Sequence, residues 1–216
     1  NPYKNGFSLT KVEEYFTNEE VIKWQKNNLR YIYARWGYSA NMTFYSYSEL
    51  DRWFSKLQMD KTQNESFNDG GDLNEKKAVL VLKKWIEDQQ NYIRTELNPN
   101  ALFCHTHATT SDLEMRKSTS FLEVSDVVGI HVYGDGKNVN YKNRNFQVQQ
   151  YYDKFKKPVI IEEMGPNKIA MFCCTGIEYH NSIWSTAMMG DFGTGMDWWW
   201  DRGVHDFGYQ KDLKMI

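Results

Sequence analysis

The feature that most constrains the fold of this chain is a repeated order of short β segments and longer helical ones. Asn41 to Ser48 is aromatic and hydroxyl-rich and reads as a strand, and Ala101 to His107, Val127 to Tyr133, Val159 to Glu163 and Gly193 to Trp200 read as further strands. Helical spacing separates them. Thr17-Asn18-Glu19-Glu20 is a capping-box pattern, followed by Val21, Ile22, Leu29, Ile32 and Tyr33, with a stop at Gly37. A long helix is predicted from about Asn74 to Leu97, with Leu82, Trp85, Ile86 and Ile93 on one face and Asn98-Pro99-Asn100 as its breaker. Further helices are predicted around Leu113 to Val124 and from Phe146 to Phe155, the latter with Val148, Tyr151, Tyr152 and Phe155 on an apolar stripe. Thr175-Gly176-Ile177-Glu178 is a second capping-box pattern, opening a helix through Ile183, Trp184, Ala187 and Met188, and Tyr209 to Ile216 starts another. Buried, non-alternating strands in strict alternation with helices imply parallel β/α units. The polar stretch Lys61 to Asp72, with Asn64, Asn68, Gly70 and Gly71, reads as an exposed insertion.

Composition removes several function classes. The 216 residues suffice for one real core, and size favours a single domain over 1–216. Lys and Arg total 26 against 28 Asp and Glu, a net charge of -2, which is no footprint for nucleic acid or an anionic membrane. No apolar stretch approaches the roughly 20 residues of a membrane span. Cys104, Cys173 and Cys174 are an odd count with one vicinal pair, not a disulfide framework, and leave the redox compartment open. No C-x-x-C or H-E-x-x-H spacing supports a zinc site, and no cofactor is expected. His105 and His107, at i and i+2 on one strand face, lack a third ligand at suitable spacing. Aromatic residues reach 16 %, with 8 Trp and 14 Tyr, more than packing alone tends to require; such flat amphipathic rings suit stacking on sugar faces.

Lys157-Pro158-Val159-Ile160-Ile161-Glu162-Glu163-Met164-Gly165 is an apolar β run that delivers a carboxylate into a glycine-terminated turn. The run resembles the strand-seven signature of the clan A glycoside hydrolases, retaining enzymes built on a (β/α)8 TIM barrel. Arg35-Trp36-Gly37-Tyr38-Ser39 is similar to the segment that leads into strand four in bacterial members. His131-Val132-Tyr133 resembles their strand-six His-x-Tyr, and Gly193 to Asp201 their Gly-rich, Trp-rich strand eight. The resemblance covers almost the whole chain, from strand four to helix eight. It implies the last five units of a barrel that needs eight. Strands one to three are then expected from a missing N-terminal half or a partner chain, because an open sheet would leave unpaired edges. The first residues, Asn1-Pro2-Tyr3, include no initiator Met or signal-like segment, so processing or truncation is expected to have removed what came before.

The resemblance also implies a site. Retaining glycoside hydrolysis needs two carboxyl groups about 5 to 5.5 Å apart, and strand C-termini converge at one face of a barrel. Glu163 falls on the nucleophile position and Glu49 on the general acid/base. Ser48 stands where the family has Asn, the residue that bonds the sugar 2-hydroxyl. His131 is expected to contact sugar or acid/base, and Tyr133 to donate toward the nucleophile. Trp200 is expected to be the sugar platform, with Trp198 and Trp199 in the core. His107 lines a subsite, and Asp135 and Lys137 lie in a loop near substrate. His180-Asn181-Ser182-Ile183-Trp184 matches a structural segment of helix seven. The implied function is retaining hydrolysis of a β-linked oligo- or polysaccharide, outside the cell or at its surface. The alternative is a non-catalytic barrel relative that binds glycan or serves as an assembly component.

Overall fold

Asn18 opens the first long helix. Its Oδ1 accepts from the backbone N–H of Glu20 at 3.0 Å and of Val21 at 3.3 Å, satisfying two donors that the first helical turn leaves unpaired. Thr17, the expected cap, is instead the last residue of a preceding short helix, and its hydroxyl donates to the Glu13 carbonyl at 3.0 Å. The computed structural model describes residues 2–39, 44–50, 75–107, 120–134, 141–166, 176–190, 196–198, 205–206 and 208. The segments 51–74, 108–119 and 209–216 lie outside the described residues, and with them the expected insertion, the start of the helix around Leu113 and the last helix. The described elements form a mixed α/β fold with parallel strands. The chain divides into two compact units, Asn1–His105 with Lys117–Ser125, and Thr106–Arg116 with Asp126–Ile216.

The first unit holds α1 (Pro2–Phe7), α2 (Glu14–Thr17), α3 (Glu19–Trp36), β1 (Phe44–Tyr47), α4 (Glu75–Tyr92) and most of β2 (Leu102–His107). α3 ends at Gly37, where a Cβ would meet the Tyr33 carbonyl oxygen at 2.5 Å, so a side chain there forces the turn to open. α4 passes at Ile93 into a π turn, Ile93–Leu97, closed by the Asn98 N–H on the Ile93 carbonyl at 2.7 Å. Leu82, Trp85, Ile86 and Ile93 are buried, as their spacing predicts. β1 pairs parallel with β2, Tyr45 opposite Phe103 and Tyr47 opposite His105. Phe103 is fully buried in a cluster with Ile93 and Ala101 that Leu29, Tyr45, Tyr47 and Leu97 flank. Burial pushes the Tyr47 phenol well above its ordinary range.

Gln25 was not visible as a core residue in the helical pattern. It is buried in α3 because every polar atom finds work: its amide donates to the Tyr15 carbonyl at 2.9 Å, and its oxygen accepts from Trp85 Nε1 at 2.8 Å and Gln89 Nε2 at 3.1 Å. Near the N-terminus, Glu14 Oε2 accepts from the N–H groups of Thr10 and Lys11 at 2.7 and 2.8 Å. These bonds, the Lys11 one foremost, hold its carboxyl below the usual range.

The second unit holds the end of β2, β3 (Val127–Gly134), α5 (Tyr141–Phe155), β4 (Val159–Pro166), α6 (Gly176–Met188) and β5 (Met196–Asp197). β3 pairs parallel with β4, and β4 with β5. Val127, Val128, Ile130, Val132, Val159, Ile161 and Met164 are buried, which is why these strands read as apolar runs. α5 packs on β3 and β4 and presses Val148 and Tyr151 inward. It begins five residues before the expected Phe146. Tyr152 departs from the predicted stripe. It sits about 100° around the helix from Tyr151, is 49 % exposed, and carries the Lys156 ammonium 5.4 Å from its ring centroid.

Candidate active site

β4 does not end at Glu163. The strand runs on through Gly165 and Pro166, which pair with Tyr133 and Gly134. Gly165 has φ 149°, a backbone conformation that a side chain would strain, so glycine extends the ladder here where the sequence reading expects it to close a turn. The site therefore lies within the paired part of β3 and β4.

The register between these strands shifts at one point. Ile130 pairs with Ile161, but the next residue, His131, pairs with Glu163. Glu162 is the extra residue of a bulge in β4. Strict alternation would send two adjacent acids to opposite faces. At the bulge both reach one imidazole: Glu163 Oε2 lies 3.2 Å from His131 Nδ1, and Glu162 Oε2 lies 3.9 Å from His131 Nε2. His131 is 1 % exposed, whereas the two carboxylates keep 19 % and 20 % of their surface, so the imidazole forms the floor and the acids the accessible layer.

Two hydroxyls complete the arrangement. Tyr133, two residues beyond His131 and so on the same face of β3, donates to Glu163 Oε2 at 2.6 Å. Thr106 donates through Oγ1 to Glu162 Oε2 in a short hydrogen bond. The Tyr133 hydroxyl and the His131 Nδ1 both approach Oε2 of Glu163. The Tyr133 hydrogen bond and the His131 approach on one oxygen hold this carboxylate in one orientation. The arrangement suits an oriented carboxylate acting as nucleophile or base.

His107, expected to line a subsite, is buried in β2, with Nδ1 3.1 Å from the Tyr151 hydroxyl. His105 is buried as well; the Gln90 amide donates to its Nε2 at 2.8 Å, and its ring stacks on Tyr47 with centroids 5.5 Å apart. Ser48 and Glu49 form the turn that follows β1, in the first unit; Ser48 is exposed, Glu49 is partly buried, and Leu50 behind them is 2 % exposed. Glu49 has φ 57°, the left-handed region, uncommon for a residue with a side chain. Trp198, expected in the core, is 46 % exposed, because its N–H follows the end of β5 and bonds Met164 O at 2.8 Å while the ring turns outward. Trp199, Trp200, Asp135 and Lys137 lie outside the described residues. His180 and Trp184, one turn apart in α6, pack ring to ring at 6.2 Å.

Glu162, Thr106 and Tyr151 are the members that the sequence reading did not assign. The doublet Glu162-Glu163 inside an apolar strand was the available signal, since one of two adjacent acids must otherwise enter the core. Among the described residues, no group of three or more His, Cys, Asp or Glu is placed to hold a metal ion, and no helix is long and apolar enough to cross a membrane. No protein-family model matches the chain, and no curated protein matches it.

Proposed function

We propose that this chain belongs to the retaining glycoside hydrolases of the (β/α)8 barrel class, its five described strands standing as the last five of the barrel. Within that class the proposed activity is hydrolysis of a β-linked glycan by double displacement, on extracellular or surface polysaccharide. The observation that carries this reading is the Glu163 carboxylate, oriented by Tyr133 at 2.6 Å and His131 at 3.2 Å on neighbouring parallel strands.

The mechanism follows from these groups. Tyr133 and His131 occupy Oε2, so Oε1 attacks the anomeric carbon and forms the glycosyl-enzyme ester as the leaving oxygen departs. Glu49, by the resemblance, protonates that oxygen and then deprotonates the water that cleaves the ester. Its left-handed backbone supports a working role, since strained non-glycine positions cluster at functional sites. Sugar rings stack on exposed aromatic side chains.

The test is the configuration of the first product. Proton NMR during hydrolysis of a panel of β-glucans, β-mannans and β-xylans is expected to show the β-anomer appearing first and mutarotating later. In the same assay Glu49→Ala is expected to stop cleavage of polysaccharide while sparing aryl glycosides whose leaving group needs no proton. First appearance of the α-anomer would exclude double displacement. A second reading, a glycan-binding relative without turnover, draws on exposed Ser48 in the place of the family Asn; it requires glycan binding with no product from any substrate.

A further inference from the structure

The bulge at Glu162 leaves a second carboxylate beside the first. Glu163 pairs with His131 on β3, and Glu162, the residue before it, approaches the same imidazole, so the two carboxyl groups gather at one ring. Glu162 is not sealed in: its side chain keeps 19 % of its surface, against 20 % for Glu163 and 1 % for His131 beneath them. A strand buried at Val159, Ile161 and Met164 gains nothing from a partly open carboxylate, since such a group must stay hydrated or find donors. One donor is Thr106, whose side chain is fully buried and whose hydroxyl holds Oε2 of Glu162. A carboxylate offers about four acceptor positions. Thr106 therefore orients the group without using up its capacity, and the accessible part can still receive donors from outside the protein.

We propose that Glu162 is a substrate-binding residue of the Glu163 site: its carboxylate accepts a hydrogen bond from a hydroxyl of the sugar whose anomeric carbon meets Glu163, and so selects sugars that carry that hydroxyl. The substrate class rests on the glycoside-hydrolase reading; the accessible, oriented carboxylate does not. A pyranose carries hydroxyl donors on the carbons around its ring, beside the anomeric carbon, and a carboxylate is well matched to take them. A hydrogen bond of this kind is worth roughly 10- to 100-fold. A site built to bond a hydroxyl also rejects the analogue that lacks it, because its own polar group is then left unpaired.

The experiment is a cycle between one residue and one substrate group. Wild type, Glu162→Ala and Glu162→Gln are assayed on an aryl glycoside of the sugar that the wild type cleaves, and on derivatives of it that each lack one hydroxyl. With the wild type, one derivative is expected to lose about 10- to 100-fold in kcat/KM. Glu162→Ala is expected to lose a similar factor on the complete sugar, and less than about twofold more on that derivative. Glu162→Gln, whose amide oxygen still accepts, keeps the preference for that hydroxyl at a reduced factor of about 10 or less. A merely structural role lowers kcat/KM on every derivative alike and leaves the hydroxyl preferences of the wild type in place; that outcome overturns the proposal. If Glu162→Ala fails to fold, an unaltered set of preferences in Glu162→Gln overturns it in the same way. If the wild type cleaves no glycan, the hydrolase reading falls, and the cycle is read from dissociation constants for oligosaccharides of β-glucan, β-mannan and β-xylan and their deoxy derivatives, measured by calorimetry. Absence of binding to all of them overturns this proposal as well.

Discussion

On the proposed hydrolase reading, replacing Glu163 by Gln is expected to lower glycan turnover by about 10⁴-fold or more, the scale on which removal of a catalytic nucleophile acts. The amide has the shape of the carboxylate and still accepts from Tyr133, so the protein stays folded and the effect falls on kcat. What is lost is specific: a neutral amide neither attacks the anomeric carbon nor leaves as a carboxylate from the ester. The asymmetry of the two neighbouring acids sharpens the expectation. Glu163 receives a phenol at 2.6 Å, while Glu162 is engaged by Thr106 at the bulge. On that reading Glu163→Gln is expected to cost far more turnover than Glu162→Gln. Equal losses in the two variants would mean that the acids act as one unit.

The second large effect is on stability. Phe103→Ala in β2 is expected to cost about 3 to 5 kcal/mol, the usual range for deleting a buried aromatic ring. Phe103 has no exposed surface. Its ring stacks on Tyr45 with centroids 5.6 Å apart, the Arg94 guanidinium lies 4.7 Å from its centroid, and Ile93 and Ala101 share its cluster. Removing the ring opens a cavity between β1, β2 and the π turn, and strips a cation of the face it covers. Urea unfolding followed by circular dichroism measures the change as a lower midpoint with an unaltered slope. A loss under about 1 kcal/mol would show that the cluster collapses to fill the space.

The alternation of apolar runs and helical periodicity was enough to place β2, β3 and β4 and the helices α4, α5 and α6, because burial on both faces of β3 and β4 writes itself directly into Val and Ile content; of the helix expected from Leu113 to Val124, the described residues show only a 3-10 turn, Ser120–Val124. Glycine and asparagine marked helix ends for the same reason: they answer to local backbone geometry. Polar burial was not legible in this way. Gln25 looks like any helix-surface glutamine until Trp85, 60 residues away, presents its indole N–H. The bulge left still less trace. Nothing in Ile160-Ile161-Glu162-Glu163 says that His131 pairs with the second acid and not the first, yet that single slip brings both carboxylates to one imidazole. Tyr133 and Glu163 were legible as candidates from their motifs, and their contact depended on that register. Thr106 stood unnoticed between His105 and His107, since alternation turns it to the face that the two histidines do not occupy.

The measurement that tests the account most directly is covalent capture of the nucleophile. The protein is incubated with a 2-deoxy-2-fluoro glycoside bearing an activated leaving group, its sugar matched to the glycan cleaved, and is then digested and sequenced by mass spectrometry. The account expects one sugar ester on the peptide that contains Glu162 and Glu163, located at Glu163 and missing from the Glu163→Gln protein. An ester on any other residue, or turnover of the glycan with no ester formed at Glu163, would contradict it.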